Sequence, residues 1–154
     1  MDNVVTKMTQ NGDGGRIESK VSLRIMGNSV NPKEISDLLK IQPSYTHRKG
    51  DRNILFSGRR IGDRTENIWS LESEVDSFSC VEEHLSSLVG LLKNKNEELQ
   101  ILRKNGLRMD LFVGIFCEEE QFGFSMGQDL VSNLASLGLG VEFDIYLNLK
   151  PHTL

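Results

Sequence analysis

The chain has 154 residues, of which 38% are hydrophobic and 26% charged, and its formal net charge is −4. This length suits one domain, and the apolar content suffices for a core and excludes a wholly disordered chain. No apolar run is long enough to cross a bilayer, the N-terminus lacks the apolar segment of a secretory signal, and the negative charge disfavours nonspecific nucleic-acid binding. We therefore predict one cytoplasmic domain at residues 19–150 with tails at 1–18 and 151–154, and no membrane or nucleic-acid partner.

A strand and a short helix open the predicted domain. Residues 20–27 alternate apolar and polar side chains, which is typical of a half-buried strand. Asn31 suits the N-cap of the following helix, Pro32 suits its first position, and Glu34 completes a capping box. Pro43 ends this helix because proline disfavours helical geometry at the residue before it.

The middle of the chain, residues 43–74, is unusual in composition. It contains the only tryptophan, Trp69, and the densest run of basic residues. Segments 53–57 and 67–74 have strand-like patterns, and we predict that they pair as a hairpin across residues 58–66. Trp69 falls on the apolar side of its strand, which favours a place in the core.

The longest predicted helix spans residues 79–104. Its leucines recur at three-, four- and seven-residue steps, and Ser79 with Glu82 has the spacing of a capping box. The polar segment 93–98 is where this helix would bend, fray or break. Gly106 then favours its end.

The last part of the chain predicts a strand, a helix and a strand. Residues 108–118 carry apolar side chains on both faces, which is typical of a central strand. Ser125 and Gln128 suggest a capped helix that ends at Gly138. Residues 141–150 alternate cleanly and form the last predicted strand.

Together these elements predict an α+β fold. The first six form a ferredoxin-like βαββαβ unit, and one additional αβ follows it. We expect a mixed, mostly antiparallel sheet with helices mainly on one face.

Two oppositely charged blocks follow one another in the chain. Residues 47–64 contain six arginines and lysines against two aspartates, and residues 66–83 contain six acidic residues and no lysine or arginine. One interpretation is that the blocks neutralise each other on one surface. The other is that the basic block binds an anion or an acidic partner.

Most of the known catalytic and metal-binding patterns are absent from the sequence. We find no Walker, Rossmann or His-Glu-x-x-His motif, and the histidines and cysteines lack ligand spacing. Residues 123–127 have the Gly-x-Ser-x-Gly spacing, but a predicted loop and not a strand comes directly before them, so the strand-turn-helix context of a nucleophile elbow is missing. We therefore predict no catalytic residue, no metal site and no cofactor, and we expect Cys80 and Cys117 to be reduced thiols. One enzymatic alternative stays open, a carboxylate pair of Asp144 with Glu72 or Glu142.

The basic loop within residues 43–74 is the best candidate for a binding site. Arginine side chains suit carboxylate or phosphate groups, Gly50 would let a backbone approach closely, and aromatic rings can stack on a planar ligand. The candidate ligand- or partner-binding residues are Tyr45, His47, Arg48, Lys49, Asp51, Arg52 and Trp69.

Several short motifs in order resemble a known family. They are the strand that ends at Gly27, Asn31-Pro32-Lys33-Glu34-Ile35-Ser36, Pro43-Ser44, Arg48-Lys49-Gly50-Asp51, Asn67-Ile68-Trp69-Ser70-Leu71-Glu72 and Asp144-Ile145-Tyr146. In these residues the chain resembles the bacterial domain of unknown function 4279 family over about residues 19–149. The resemblance implies a bacterial, single-domain, cytoplasmic protein, and it transfers no catalytic residue.

Three functions compete on these observations. The first is a non-enzymatic interaction protein, for example an immunity- or inhibitor-type protein that binds another protein through a charged surface. The second is a module that binds a small anionic ligand or a nucleotide through the loop from Arg48 to Arg52. The third is a hydrolase or transferase built on carboxylates and arginines. The sequence leaves the oligomeric state open.

Overall fold

The computed structural model describes residues 16–55 and 57–148, which form four helices and seven strands. The strands are β1 (Ile17–Met26), β2 (Tyr45–His47), β3 (Arg52–Ile54), β4 (Arg60–Asp63), β5 (Ile68–Glu72), β6 (Arg108–Cys117) and β7 (Gly140–Leu147). The helices are α1 (Pro32–Leu39), α2 (Val81–Leu92), α3 (Asn96–Lys104) and α4 (Gln128–Leu137). Outside the described residues lie 1–15 and 149–154. They hold most of the predicted tails and the end of the last predicted strand. β1 begins at Ile17, before the predicted start of the domain at residue 19.

Five of the strands form the main sheet, in the order β2-β5-β1-β6-β7. All neighbours are antiparallel except β6 and β7, which run parallel. A parallel pair needs a crossover connection, and α4 provides it. The two remaining strands, β3 and β4, pair with each other in a separate two-stranded sheet.

The α+β class and the mixed, mostly antiparallel sheet are confirmed. β1, α1, β2, β5, the α2–α3 segment and β6 follow one another in βαββαβ order, and α4 with β7 is the additional αβ. β1 and β2 are parallel with β5 between them, which is the split arrangement that such a unit requires. β6 lies between β1 and β7, as its apolar faces predict.

The predicted hairpin across residues 58–66 is wrong. Segment 52–54 pairs with β4 and not with β5, and β5 pairs with β1 and β2. The second strand of the βαββαβ unit is therefore β2, a three-residue strand within the segment predicted to be a loop. Both errors have one cause, since β2 and β4 are too short and too polar to show a hydrophobic period.

The core lies between one face of the sheet and the helices. Alternate residues of β1 and β6, such as Val21, Leu23, Leu111 and Val113, are almost fully buried on this face. The opposite positions of these strands, such as Arg24 and Phe112, are only partly buried. Helices therefore cover mainly one face, and we call the other face the open face.

The sequence predicted some helix boundaries correctly and others wrongly. Asn31 caps α1 with the full predicted capping box. The predicted caps at Ser79 and Ser125 are wrong, because the N-caps of α2 and α4 are Cys80 and Gly127 and neither makes a side-chain cap bond. At the polar segment 93–98 the sequence left a bend, fraying or a break open, and the structure has a break, since α2 ends at Leu92 and α3 starts at Asn96.

Candidate interaction surface

A basic two-stranded ribbon connects β2 to β5 along the chain. We define the ribbon as residues 48–64, and β3 and β4 are its strands. Gly58 lies in the connection between them with φ of 82°, a left-handed conformation that glycine adopts without strain. The ribbon carries six cations and two carboxylates, so its formal charge is +4 and the rest of the chain carries −8.

Backbone hydrogen bonds hold the base of the ribbon. Gly50 N–H donates to the carbonyl of Arg64 at 2.8 Å, and Arg64 N–H donates to the carbonyl of Asp51 at 2.7 Å. Lys49 N–H donates to the side chain of Asn67 at 2.8 Å, and Arg48 N–H donates to the Asp51 carboxylate at 2.7 Å. The ribbon is thus anchored in a defined position, although its strands do not join the main sheet.

The same bonds bear on the anion-binding hypothesis. The backbone donors of Arg48, Lys49 and Gly50 all have protein acceptors, and Asp51 N–H donates to the carbonyl of Arg48 at 3.1 Å. A phosphate-binding loop uses free backbone N–H groups that converge on the anion. This loop therefore offers an anion only its side chains.

Most of the ribbon cations have no ionic partner among the described residues. Arg60 pairs with Asp63 at 2.6 Å inside the ribbon. Arg48, Lys49, Arg52 and Arg59 are exposed and form no ion pair there. Within the described ranges no ion pair joins the ribbon to the acidic block at residues 66–83. Glu66 of that block pairs instead with Arg108. The geometry does not support mutual neutralisation of the two blocks.

Apolar side chains lie among these cations. Ile54, Leu55 and Ile61 are each roughly half exposed, although isoleucine and leucine are usually buried. Arginine is enriched in protein interfaces, and the buried centre of an interface is more apolar than the rest of the surface. This feature was not predicted from the sequence, because residues 53–57 were placed in a strand that pairs with residues 67–74.

Tyr45, His47 and Arg64 form a small polar cluster beside the base of the ribbon. The Tyr45 hydroxyl accepts from an Arg64 nitrogen at 3.3 Å and lies 3.1 Å from His47 Nδ1. Both contacts are satisfied when the hydroxyl donates to Nδ1, which places the histidine proton on Nε2. Burial and, secondarily, the charge of Arg64 lower the pKa of His47, so its neutral form is favoured. Arg64 was not among the predicted site residues.

Trp69 lies away from this surface. Its side chain is 0% exposed in the core, and its Nε1–H donates to Ser36 Oγ at 2.9 Å. Ser36 in turn donates to the carbonyl of Pro32. The structure thus brings Tyr45, His47, Arg48, Lys49, Asp51 and Arg52 to one end of the sheet, and it places Trp69 under α1.

Glu142 and Asp144, two carboxylates of the enzymatic alternative, have separate partners on the open face. The third, Glu72, lies on β5, which β1 and β6 separate from β7. Glu142 accepts from Arg24 at 2.8 Å, and Arg24 also pairs with Asp110 at 2.7 Å. The hydrogen bond to Asp110, and then that to Glu142, raise the pKa of Arg24. Asp144 accepts instead from the hydroxyl of Tyr146. These groups are ion-paired or hydrogen-bonded in ways that suit a structural network.

The described ranges also bear on metal binding, on the state of the thiols and on membrane insertion. They contain no cluster of three histidine, cysteine or acidic side chains that could hold a metal ion. Cys80 and Cys117 are both free thiols. No helix there is both long and apolar enough to cross a bilayer.

Comparison with known proteins gives one match. A family model described as a domain of unknown function, DUF4279, matches residues 17–148. No curated protein and no solved structure matches the chain. The match extends over both the main sheet and the ribbon.

Proposed function

Since the chain belongs to the DUF4279 family of domains of unknown function, we propose its role from its surface: it is a non-enzymatic interaction protein that binds an acidic protein through the ribbon. We place it in the cytoplasm of a bacterium, where it acts as an inhibitor- or immunity-type protein. Its partner presents carboxylates around an apolar patch.

One observation carries this proposal. Arg48, Lys49, Arg52 and Arg59 are exposed and have no ionic partner among the described residues, and the half-exposed Ile54 and Ile61 lie on the two strands of the same ribbon. Exposed cations speed and orient the encounter with an acidic surface, and apolar groups supply the burial that keeps the complex together. The negatively charged remainder of the chain repels an acidic partner, so it confines the encounter to the ribbon and adds specificity.

Binding of a small anionic ligand at the Arg48–Arg52 loop is the competing reading. It has less support, because the backbone donors of the loop are already bonded within the protein. It predicts that inorganic phosphate or a nucleotide raises the melting temperature of the free protein. The partner proposal predicts no such rise.

The test compares two charge-reversal variants. The wild-type protein captures its partner from the native host, and the complex is rebuilt from the two purified proteins. Arg52→Glu/Arg59→Glu should weaken that complex by about tenfold or more and reduce the salt dependence of its association rate. Lys93→Glu/Lys104→Glu makes the same charge change on the exposed helical side and serves as the matched control.

The control should bind as the wild type does. If both variants bound equally weakly, the loss of affinity would result from the change in overall charge and not from the ribbon. If the ribbon variant bound as tightly as the wild type, the proposal would be contradicted. The inhibitory role has a separate readout. Co-expression with the captured protein should relieve any growth defect that this protein causes, and the ribbon variant should not.

A further inference from the structure

The two edges of the main sheet differ sharply. At one edge β2 has only three residues, and the anchored ribbon follows it. At the other edge β7 has eight residues, and none of the described residues pairs with its outer side. Natural sheets protect long edge strands with prolines, bulges, inward-pointing charges or a covering segment. Within the described ranges β7 has no proline and no lysine.

The helix side of β7 is also apolar and exposed. Val141, Phe143, Ile145 and Leu147 share this side, because they pair in register with the buried side of β6. Ile145 is 44% exposed and Leu147 is 59% exposed, whereas the facing residues of β6, Ile115 and Cys117, are almost fully buried. The helices therefore cover β6 but leave its neighbour largely uncovered. Phe124 stacks on Phe143 and is itself exposed, so it extends this patch.

The outward backbone groups belong to the same residues. Asn148 N–H points toward β6, because it donates to the carbonyl of Cys117 at 2.8 Å. Backbone direction alternates along a strand, so the N–H and C=O groups of Leu147, Ile145 and Phe143 point away from β6. A strand that pairs with the outer side of β7 would therefore form backbone hydrogen bonds to Phe143, Ile145 and Leu147, whose side chains are exposed.

We propose that this edge binds a second copy of the chain, with β7 antiparallel to β7 across a twofold axis centred on Ile145. The axis is perpendicular to the sheet, so both helical layers lie on the same side. The two five-stranded sheets then form one continuous ten-stranded sheet. This inference is independent of the ribbon and of its partner.

The register follows from self-complementarity. With Ile145 opposite Ile145 of the second copy, Phe143 lies opposite Leu147 on the apolar side. On the open face Asp144 lies opposite Tyr146, and Glu142 lies opposite Asn148. Each carboxylate thus faces a hydroxyl or an amide, and Tyr146 already donates to Asp144 within one chain. Such opposite pairs stabilise antiparallel strands.

The neighbouring registers are worse for stated reasons. Centring the axis on Asp144 places this carboxylate opposite its own copy, and centring it on Phe143 places Glu142 opposite Asp144. Like charges directly opposite each other destabilise a strand pair. Centring the axis on Tyr146 avoids that repulsion, but it shortens the pairing within β7 to residues 145–147. A second copy therefore fits this edge in one register better than in the others.

The first test measures the mass of the full chain in solution over a wide concentration range. We expect the wild type to have twice the mass of one chain, and Ile145→Lys to have the mass of one chain, since it opposes two ammonium groups at the axis. Ile101→Lys on α3 is the matched control, because that isoleucine is exposed to a similar extent, 46%. It should leave the mass of the wild type unchanged. Circular dichroism should show that both variants keep the fold.

The second test fixes the register by cross-linking. In a Cys80→Ser background, Ile145→Cys places two thiols opposite each other, at a Cα separation of about 5.5 Å that a disulfide can span. Mild oxidation should therefore link Ile145→Cys chains covalently. Phe143→Cys should link much less, because its opposite residue is Leu147 of the second copy.

Three results would overturn the inference. A wild type that has single-chain mass at every concentration excludes the dimer. A dimer that persists in Ile145→Lys uses another surface. A single-chain wild type that unfolds on the same substitution indicates that residues 1–15 or 149–154 of the same chain cover the edge.

Discussion

At the scale of single residues, His84 is the least satisfied polar group of the core. It lies in the first turn of α2 and is 2% exposed, and its Nδ1 lies 3.1 Å from Ser73 Oγ. Its Nε2 has no hydrogen-bond partner among the described residues. Burial lowers the pKa of His84, and the nearby Asp76 and Glu83 offset this only in part.

This arrangement predicts a pH-dependent stability. Because the folded pKa is below the unfolded one, the unfolded chain binds more protons in the interval between the two. The free energy of unfolding should therefore be at its full value above about pH 6.5 and should decrease as the pH falls toward the lower folded pKa. Urea titrations followed by the fluorescence of the single Trp69 measure this, and His84→Gln should flatten the slope.

His47 contributes in the same direction, because burial also lowers its pKa. His47→Gln is therefore the comparison that separates the two histidines. If His84→Gln has the same pH profile as the wild type, the dependence arises elsewhere.

At the scale of elements, Glu82 joins two helices. Its sequence position suggested a cap for its own helix, but its carboxylate accepts from the N–H of Gly127, the N-cap of α4, at 2.7 Å. An acidic group at a helix N-terminus satisfies a free donor and complements the helix dipole. The start of α4 therefore depends on a side chain from α2.

We expect Glu82→Ala to lower the free energy of unfolding by about 1 kcal/mol, as loss of an N-terminal cap does. Glu83→Ala is the control, because Glu83 lies in the same first turn, whereas the hydrogen bond to the start of α4 comes from Glu82. Denaturant unfolding of both variants measures the difference. Equal losses would show that the effect belongs to the dipole of α2 and not to the contact with α4.

At the scale of the whole molecule, the two sheets have separate roles. The main sheet and the helices contain the core, and β3 and β4 pair only with each other in the described structure. The exposed side chains of the ribbon therefore contribute little to burial. Folding and partner binding should be separable by removing the ribbon.

Such a variant replaces residues 53–62 with Asn-Gly. Arg52 and Asp63 are paired across the ribbon, and Asn-Gly is a favoured two-residue hairpin turn, so the base should still close. The melting temperature should change by no more than about 3 °C. Binding to the captured partner should be lost. Loss of cooperative unfolding would instead show that the ribbon belongs to the core.

The sequence alone determined the main elements and the class of this protein. Periodicity placed β1, α1, β6 and β7 and indicated the α2–α3 break, because those signals come from neighbours a few residues apart. The Asn31 capping box was also readable, since all its atoms lie within one turn. The basic loop was found from its charge, and the family motifs were recognised in order.

Tertiary structure decided the features that depend on distant residues. Only three-dimensional pairing shows that β3 joins β4, that Glu82 caps α4, and that the four exposed ribbon cations besides Arg60 have no ionic partner among the described residues. It also buries Trp69 and leaves the apolar side of β7 uncovered. The sequence pattern shows which residues share one face of a strand or helix. What covers that face depends on contacts between residues far apart in the chain.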